Sequence, residues 1–308
     1  MTGSSGFIGT NLCESLLLDG FEVVGVDSLT ENYSTLLKKK NTEFLRRHTK
    51  FVFHEEDLLN SNLSELFSNI DVVCHLAGQP SVHNSWGVDF GVYSQRNIVL
   101  TQKLLQAARE SGVVKFVNSS SSSVYGAITN GKTKESDEKN PISPYGVTKL
   151  AAENLVTLYG SEFNLQTVSL RYFTVYGPRQ RPDMAFSKLI SSALEGKPFP
   201  LHGDGSQIRD FTFVGDVVDA IKLAAFKDVN AGAVFNIGGG NPTSMSSAIE
   251  IIESLLNRSI KIHRQSFGPG NPKTTSADCS KAAELLGWKP KVNITEGLIE
   301  QCKWVEKS

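Results

Sequence analysis

With 308 residues, 40% of them hydrophobic and 20% charged, the chain has the composition of an ordinary soluble globular protein and too much apolar content for a disordered one. Its formal net charge of -1 gives no global field for nucleic acid or an anionic membrane, so any phosphate recognition has to be local. No apolar run reaches the roughly 18 residues that span a bilayer, and the N-terminus lacks a signal-peptide pattern, so the cytoplasm is the expected address.

Cys13, Cys74, Cys279 and Cys302 lie far apart and form no CxxC pair. They predict reduced, mostly buried thiols, with neither a disulfide framework nor a metal site.

In chain order, a glycine turn at Gly3, Gly6 and Gly9 runs into a helix-period stretch over 8–18. Strand-like runs follow over 21–26, 51–53, 72–76, 116–118 and 167–171, separated by further helix-period segments over 97–111 and 144–159. This alternation predicts an α/β fold, a Rossmann-like doubly wound parallel sheet over residues 1–177. Beyond it, Pro178, Pro182, Pro198, Pro200, Gly203 and Gly205 break the chain into short pieces. A smaller C-terminal substrate-binding lobe is expected over 178–308, with helices over 184–195, 245–256 and 280–286 and a strand over 234–237. Residues 211–230, with strand-end and helix character over 214–227, are expected to return to the first sheet. Only Met1 and Thr2 precede the glycine turn, where a buried strand normally stands. The expectation is that the first strand is missing from this numbering, or that a neighbouring segment replaces it.

The turn Gly3-Ser4-Ser5-Gly6-Phe7-Ile8-Gly9 fits GxxGxxG at the start of a helix. Its first glycine permits the tight turn, the second admits a pyrophosphate to the backbone, and the third allows close packing. A glycine cluster in a loop would look the same in isolation. Asp27, however, ends the next strand eighteen residues after Gly9, near the spacing of a carboxylate that accepts a ribose diol and repels a ribose phosphate. The pattern favours NAD over NADP. Asp57 and Leu58, then His75, Leu76, Ala77 and Gly78, fall where later strand ends meet a dinucleotide; His75 itself reads better as a satisfied core histidine.

The sharpest constellation is Ser121 with Tyr145 and Lys149. Tyr145 and Lys149 are four apart after Pro144 and so share a helix face. A tyrosine of ordinary pKa, about 10, is a poor base at neutral pH, and a nearby ammonium favours its phenolate. Ser121 ends a strand and can bond the same substrate oxygen.

These motifs resemble the extended short-chain dehydrogenase/reductase family, in its nucleotide-sugar epimerase and dehydratase branch. The resemblance spans the chain: TGSSGFIG from Thr2, HLAGQPSV from His75, SSSSSVYG from Ser119, SPYGVTK from Ser143, LRYFTVYGPRQRPDMA from Leu170 and GDGSQIRDFTFVGD from Gly203. It implies Ser121 as catalytic serine, Tyr145 as acid/base and Lys149 as its ribose-binding partner. It further implies Phe7, Ile8 and Asn97 in the cofactor shell and Arg209 on the nucleotide diphosphate. Thr174 stands where galactose-type epimerases have asparagine. Family dehydratases carry Asp-Glu after the catalytic serine, an acid/base pair for eliminating water, whereas this chain has Ser122 and Ser123 on the substrate side.

The segment around Arg179 and Arg181 is similar to UDP-glucuronate 4-epimerases, where the second arginine can hold a sugar carboxylate. The same charges also fit a solvated loop or a phosphate contact. The loop 267–272 departs from the pattern, lacking the basic residue before glycine and the acid after it. The resemblance thus implies NAD-dependent 4-epimerisation of a UDP-sugar, with the uronate favoured, by a homodimer that pairs the helical faces over 97–111 and 144–159. UDP-glucose or N-acetylhexosamine 4-epimerisation stands as the alternative within enzymes, and a catalytically silent NAD-binding regulator as the alternative outside them.

Overall fold

The computed structural model describes residues 1–127, 131–266 and 268–307; Phe267 of the departing loop lies outside them. Helix α1 (Phe7–Leu18), strand β1 (Val23–Asp27), α2 (Thr35–Leu45), β2 (Phe51–Glu55), the short α3 (Leu63–Leu66) and β3 (Val72–His75) lead the chain. A long helical segment follows: α4 (Phe90–Tyr93), a π-helical turn over Ser94–Val99 and α5 (Leu100–Glu110). Then come β4 (Lys115–Ser121), α6 (Pro144–Phe163), β5 (Gln166–Tyr172) and β6 (Thr174–Tyr176). The remainder comprises α7 (Ala185–Glu195), β7 (Phe199–His202), β8 (Ile208–Arg209), β9 (Phe211–Phe213), α8 (Val214–Phe226), β10 (Ala233–Ile237), β11 (Thr243–Ser244), α9 (Met245–Leu256), β12 (Ile262–Gln265) and α10 (Ile294–Lys307).

The predicted α/β architecture is the observed one. Strands β3, β4, β5 and β10 pair in parallel, as do β1 and β2. Side chains alternate between the two faces, as strand geometry requires. On β4, Phe116 packs with Leu104, Leu105 and Val156 of α5 and α6, while Val117 joins Leu12, Leu16 and Val217 of α1 and α8 on the other side. Both faces are covered, which is why the strands read as continuous apolar runs.

Among the described residues no strand precedes α1, and Met1 and Thr2 lie between the two strand groups. Thr2 bridges Val26 of β1 and His75 of β3 in parallel, joining the two strand groups. Its N–H donates to the Cys74 carbonyl at 3.1 Å, and the Met1 carbonyl accepts from Val26 at 2.9 Å. The Met1 ammonium donates to Val24 O at 2.8 Å.

A second core gathers Tyr176, Phe186, Leu189, Phe211, Met245, Ile249 and Leu298 from β6, β9, α7, α9 and α10. Helix α8 packs instead against α1 and the main sheet. Helices α2 and α10 were not anticipated: the first carries a lysine-rich, weakly amphipathic stretch, and the start signal of the second, the reciprocal cap between Asn293 and Glu296, was overlooked.

One buried ion pair ties the sheet to the helix that carries Tyr145. Arg171 on β5 grips both carboxylate oxygens of Glu153 on α6, at 2.9 and 2.5 Å, and Ser120 donates to the same group at 2.6 Å. The side chains are only 2% and 4% exposed. Removing one charge from such a pair strands the other in a medium that solvates it poorly. Glu153→Gln should therefore lower stability by about 3–5 kcal/mol in denaturant unfolding, whereas Glu300→Gln, on an exposed pair with Lys303, should change it by less than about 1 kcal/mol.

Candidate active site

Helix α6 begins where the sequence sets it. The Ser143 hydroxyl caps it by accepting from Gly146 N at 3.1 Å, and Pro144 occupies the first turn, where its missing N–H is harmless. Gly146 allows close approach: a β-carbon there would stand 2.5 Å from the Ser123 carbonyl. The helix start thereby lies against the end of β4, and Tyr145 and Lys149 share a cleft with Ser121, Ser122 and Ser123. Ser122 opens a 3-10 turn, Ser122–Val124, capped by the Ser121 hydroxyl accepting from Ser123 N at 3.1 Å.

The other end of the cleft is the glycine turn. Gly3 has φ of 71°, and a β-carbon on it would meet Ala77 N at 2.8 Å, while one on Gly9 would strike the Gly3 carbonyl. The turn can exist in this form only with glycine at both positions. Gly6, Phe7, Ile8, Asp27, Leu58, Leu76, Ala77 and Asn97 line the same cleft. The Asp27 carboxylate accepts from Ser5 N at 3.1 Å and Leu29 N at 2.8 Å. Burial pushes its pKa up, opposed by the Leu29 bond, the Lys38 charge and the Ser5 bond.

Asn97 locks two walls together: its carbonyl oxygen accepts from Gln79 N at 2.7 Å and its amide donates to Thr148 on α6 at 3.0 Å. It sits in the π-helical turn, which turns the side chain inward. His75 is the satisfied core histidine expected, held by Thr2 at 2.9 Å and Thr101 at 3.0 Å, with burial driving its pKa to about 3.

Two expected site residues stand apart. Asp57 does not line the cleft, because Arg96 takes both its oxygens at 2.6 and 2.8 Å. Arg96 and Leu58 reach the cleft in its place. Arg209 also lies outside the cleft lining, its guanidinium donating to the Ile208 and Lys273 carbonyls at 2.8 and 3.3 Å, and burial lowers its pKa. Lys38 and Tyr33, which the sequence did not single out, do line it. Lys38 donates to Thr30 O at 2.6 Å and Asn32 at 2.8 Å, shaping the loop beyond Asp27. No motif spacing marks either residue; only the fold brings them there.

Burial and a second cation enter the electrostatics around Tyr145. Burial raises the Tyr145 pKa, and the groups that oppose it are a Ser121 hydrogen bond and the Arg181 charge. Lys149 is itself buried, its pKa lowered to about 8 with Glu153 one turn on as the opposing charge. The Arg181 charge thus acts on the phenol as well. It lines the cleft with Thr174 and Met184, and Asp183 fixes it through bonds of 2.9 and 2.7 Å. Arg179 is otherwise engaged, paired with Glu14 at 2.8 Å and stacked over Trp304.

The cleft thus has a backbone-lined cradle at one end and, at the other, a phenol with hydroxyls and a guanidinium. Such an array can move a proton at a hydroxyl while a flat cofactor lies along the glycine turn. Among the described residues no group of three or more histidine, cysteine or acidic side chains is placed to hold a metal ion, and no helix is long and apolar enough to cross a membrane.

Comparison with known proteins places this geometry in context. The chain is 42% identical over 306 residues to an uncharacterized UDP-glucose epimerase of Bacillus subtilis, covering 99% of this chain and 96% of that protein. It is 37% identical to a UDP-glucuronate 4-epimerase of Thermodesulfobacterium geofontis, covering 100% and 96%. Its fold matches the crystal structure of UDP-glucuronic acid 4-epimerase from Bacillus cereus in complex with UDP-glucuronic acid and NAD, with a TM-score of 0.96, 43% identity and coverage of 99% and 98%. The family described as GDP-mannose 4,6 dehydratase matches residues 1–301. The chain therefore belongs to that family, among the extended short-chain dehydrogenases/reductases.

Proposed function

We propose that this protein is an NAD-dependent 4-epimerase of UDP-hexoses, favouring the UDP-glucuronate/UDP-galacturonate pair. The observation that carries the reading is the convergence of Tyr145, the Ser121–Ser123 hydroxyls, Thr174 and Arg181 at one end of a cleft whose other end is the glycine cradle. The cradle fits a dinucleotide: its two crowded glycines hold the turn tight where the start of α1 lines the cleft, and Asp27 stands ready for a ribose diol.

In this reading Gly3, Gly6, Phe7, Ile8, Gly9, Leu58, Leu76, Ala77 and Asn97 form the cofactor wall, and Lys149 bonds the nicotinamide ribose. Asp57 acts indirectly, by holding Arg96. When bound, oxidised NAD supplies a hydride acceptor for carbon 4 and a positive charge beside Tyr145, giving a transient 4-keto sugar that is reduced on its other face. Tyr145 takes the proton from the carbon 4 hydroxyl and later returns it, a transfer worth about 10²–10⁴-fold in rate. Ser121 bonds the same oxygen and steadies the phenolate. Arg209 serves the diphosphate, whose binding energy positions the sugar for both half-reactions.

The 4-keto form of a uronate is a β-keto acid prone to lose carbon dioxide, so its carboxylate has to be held still. Ser122, Ser123, Thr174 and Arg181 supply hydroxyls and a fixed positive charge there. The same serines argue against a dehydratase, because neither can donate a proton as a carboxyl group does. The Bacillus subtilis relative's name supports a second reading, UDP-glucose 4-epimerisation by the same core residues in a pocket where Arg181 serves another purpose.

We also infer a two-lobed cytoplasmic homodimer, divided near residue 177, with α8 completing the first lobe. Val99 next to α5 and Val147 and Leu158 of α6 are exposed apolar side chains on the surface that would meet its copy; a monomer in sedimentation at micromolar concentration would contradict it.

Asp27→Ala should narrow the preference for NAD over NADP in a binding titration, because the mutant no longer repels a ribose phosphate; a wild type that binds NADP better contradicts the cofactor assignment. Arg181→Ala tests the substrate. If Arg181 meets the sugar carboxylate, UDP-glucuronate kcat/KM should fall by roughly 2–5 kcal/mol of transition-state binding while UDP-glucose is affected much less. Equal losses for the two substrates would refute the uronate preference and leave epimerisation standing.

A further inference from the structure

Past Val82 and Met184, which line the cleft, its rim carries a group of basic side chains that the proposed mechanism leaves unused. His83 opens the 3-10 turn His83–Ser85, and its ring stacks on that of His202 at the end of β7, centroids 5.6 Å and planes 27° apart. Its Nε2 meets the Asn271 amide at 3.2 Å, and its Cε1 and Nδ1 lie 3.5 Å from where a β-carbon on Gly268 would stand. Lys188, one turn beyond Met184 on α7, adds its charge. The imidazoles thus reach each other from opposite sides: one follows a strand of the main sheet, the other ends a strand against the second core.

These groups lack a counter-ion. Among the described residues no carboxylate lies within 4 Å of His83, His202 or Lys188. Asp183, which faces Lys188, is already gripped by Arg181. The loop that His83 touches, residues 268–272, contains no charged side chain, and it continues directly into Lys273, whose carbonyl holds Arg209. The loop thereby links His83 to Arg209, the residue proposed to serve the diphosphate.

We infer that His83, flanked by His202 and Lys188, is a proton-linked contact for the diphosphate of the nucleotide substrate. The inference rests on the nucleotide-sugar reading and deepens it. Free of ligand, His83 titrates below the usual histidine range, through burial first and then the charges of His202 and Lys188. Those are the charged or titratable groups acting on it from β7 and α7; the loop contributes only the Asn271 amide and Gly268. A bound diphosphate reverses that balance and raises the imidazole pKa, so His83 takes one proton from solvent as the ligand enters. Affinity is then highest at low pH and falls as pH rises through the bound-state value, by at most about tenfold per pH unit.

The test is calorimetric titration with UDP-glucose, whose diphosphate diester does not itself titrate near neutrality, in two buffers of different ionisation enthalpy. Wild type should take up a fraction of a proton on binding and weaken several-fold between pH 6 and 8. His83→Gln should abolish the uptake and flatten the pH profile, and His83→Arg should keep tight binding across the range without uptake. Uridine, lacking phosphates, should bind without proton uptake to wild type and variants alike. Binding of UDP-glucose without proton uptake, and with equal affinity in His83→Gln, would overturn the inference and leave the epimerase reading intact. Proton-linked binding without any UDP-sugar turnover would sink the epimerase reading alone, and a protein that binds neither UDP-glucose nor UDP-glucuronate refutes both.

Discussion

The site depends on one close approach, the start of α6 against the backbone of Ser123. A side chain at position 146 would fill that gap, since even a β-carbon would come within 2.5 Å of the Ser123 carbonyl. With glycine there, and with Ser143 and Pro144 fixing where the helix begins, Tyr145 faces the serine-rich end of β4. Asn97 holds the neighbouring wall to Thr148 one turn later, and the Arg171–Glu153 pair anchors the helix to the sheet beneath it. Local chain geometry, not a network of flexible contacts, aims the phenol.

Electrostatics then divide the cleft. At the cradle end the charges cancel locally: Asp27 is met by backbone N–H groups and Lys38 is nearby. At the sugar end the Arg181 guanidinium, paired with Asp183, acts on a phenol that burial would otherwise hold neutral. Asp183 fixes the guanidinium through Nε and Nη2, and among the described residues no hydrogen bond engages Nη1. An anionic sugar suits such a site better than a neutral one, which is the physical basis for preferring the uronate.

What the sequence revealed follows from how local each signal is. The glycine turn, Asp27 and the Tyr145–Lys149 spacing lie within single strand–turn–helix units, and the structure brings them into one cleft. Asp57 looked equally local, yet its oxygens are taken by Arg96, 39 positions away, a pairing that no motif records. Lys38 and Tyr33 carry no spacing signature and enter the cleft because α2 packs beside α1. The partners of Tyr145, Ser121 and Lys149, were legible in the sequence, whereas the burial of the phenol and the reach of the Arg181 charge come only from the fold.

The central claim is that Tyr145 moves the proton in a reversible inversion at carbon 4. Its most direct measurement is chromatographic analysis of UDP-glucuronate and UDP-galacturonate after incubation with wild type and Tyr145→Phe, with binding followed in parallel. The account predicts that wild type reaches the same mixture from either sugar, while the variant binds both and turns over at least about a hundredfold more slowly. A variant that interconverts them at the wild-type rate would contradict it.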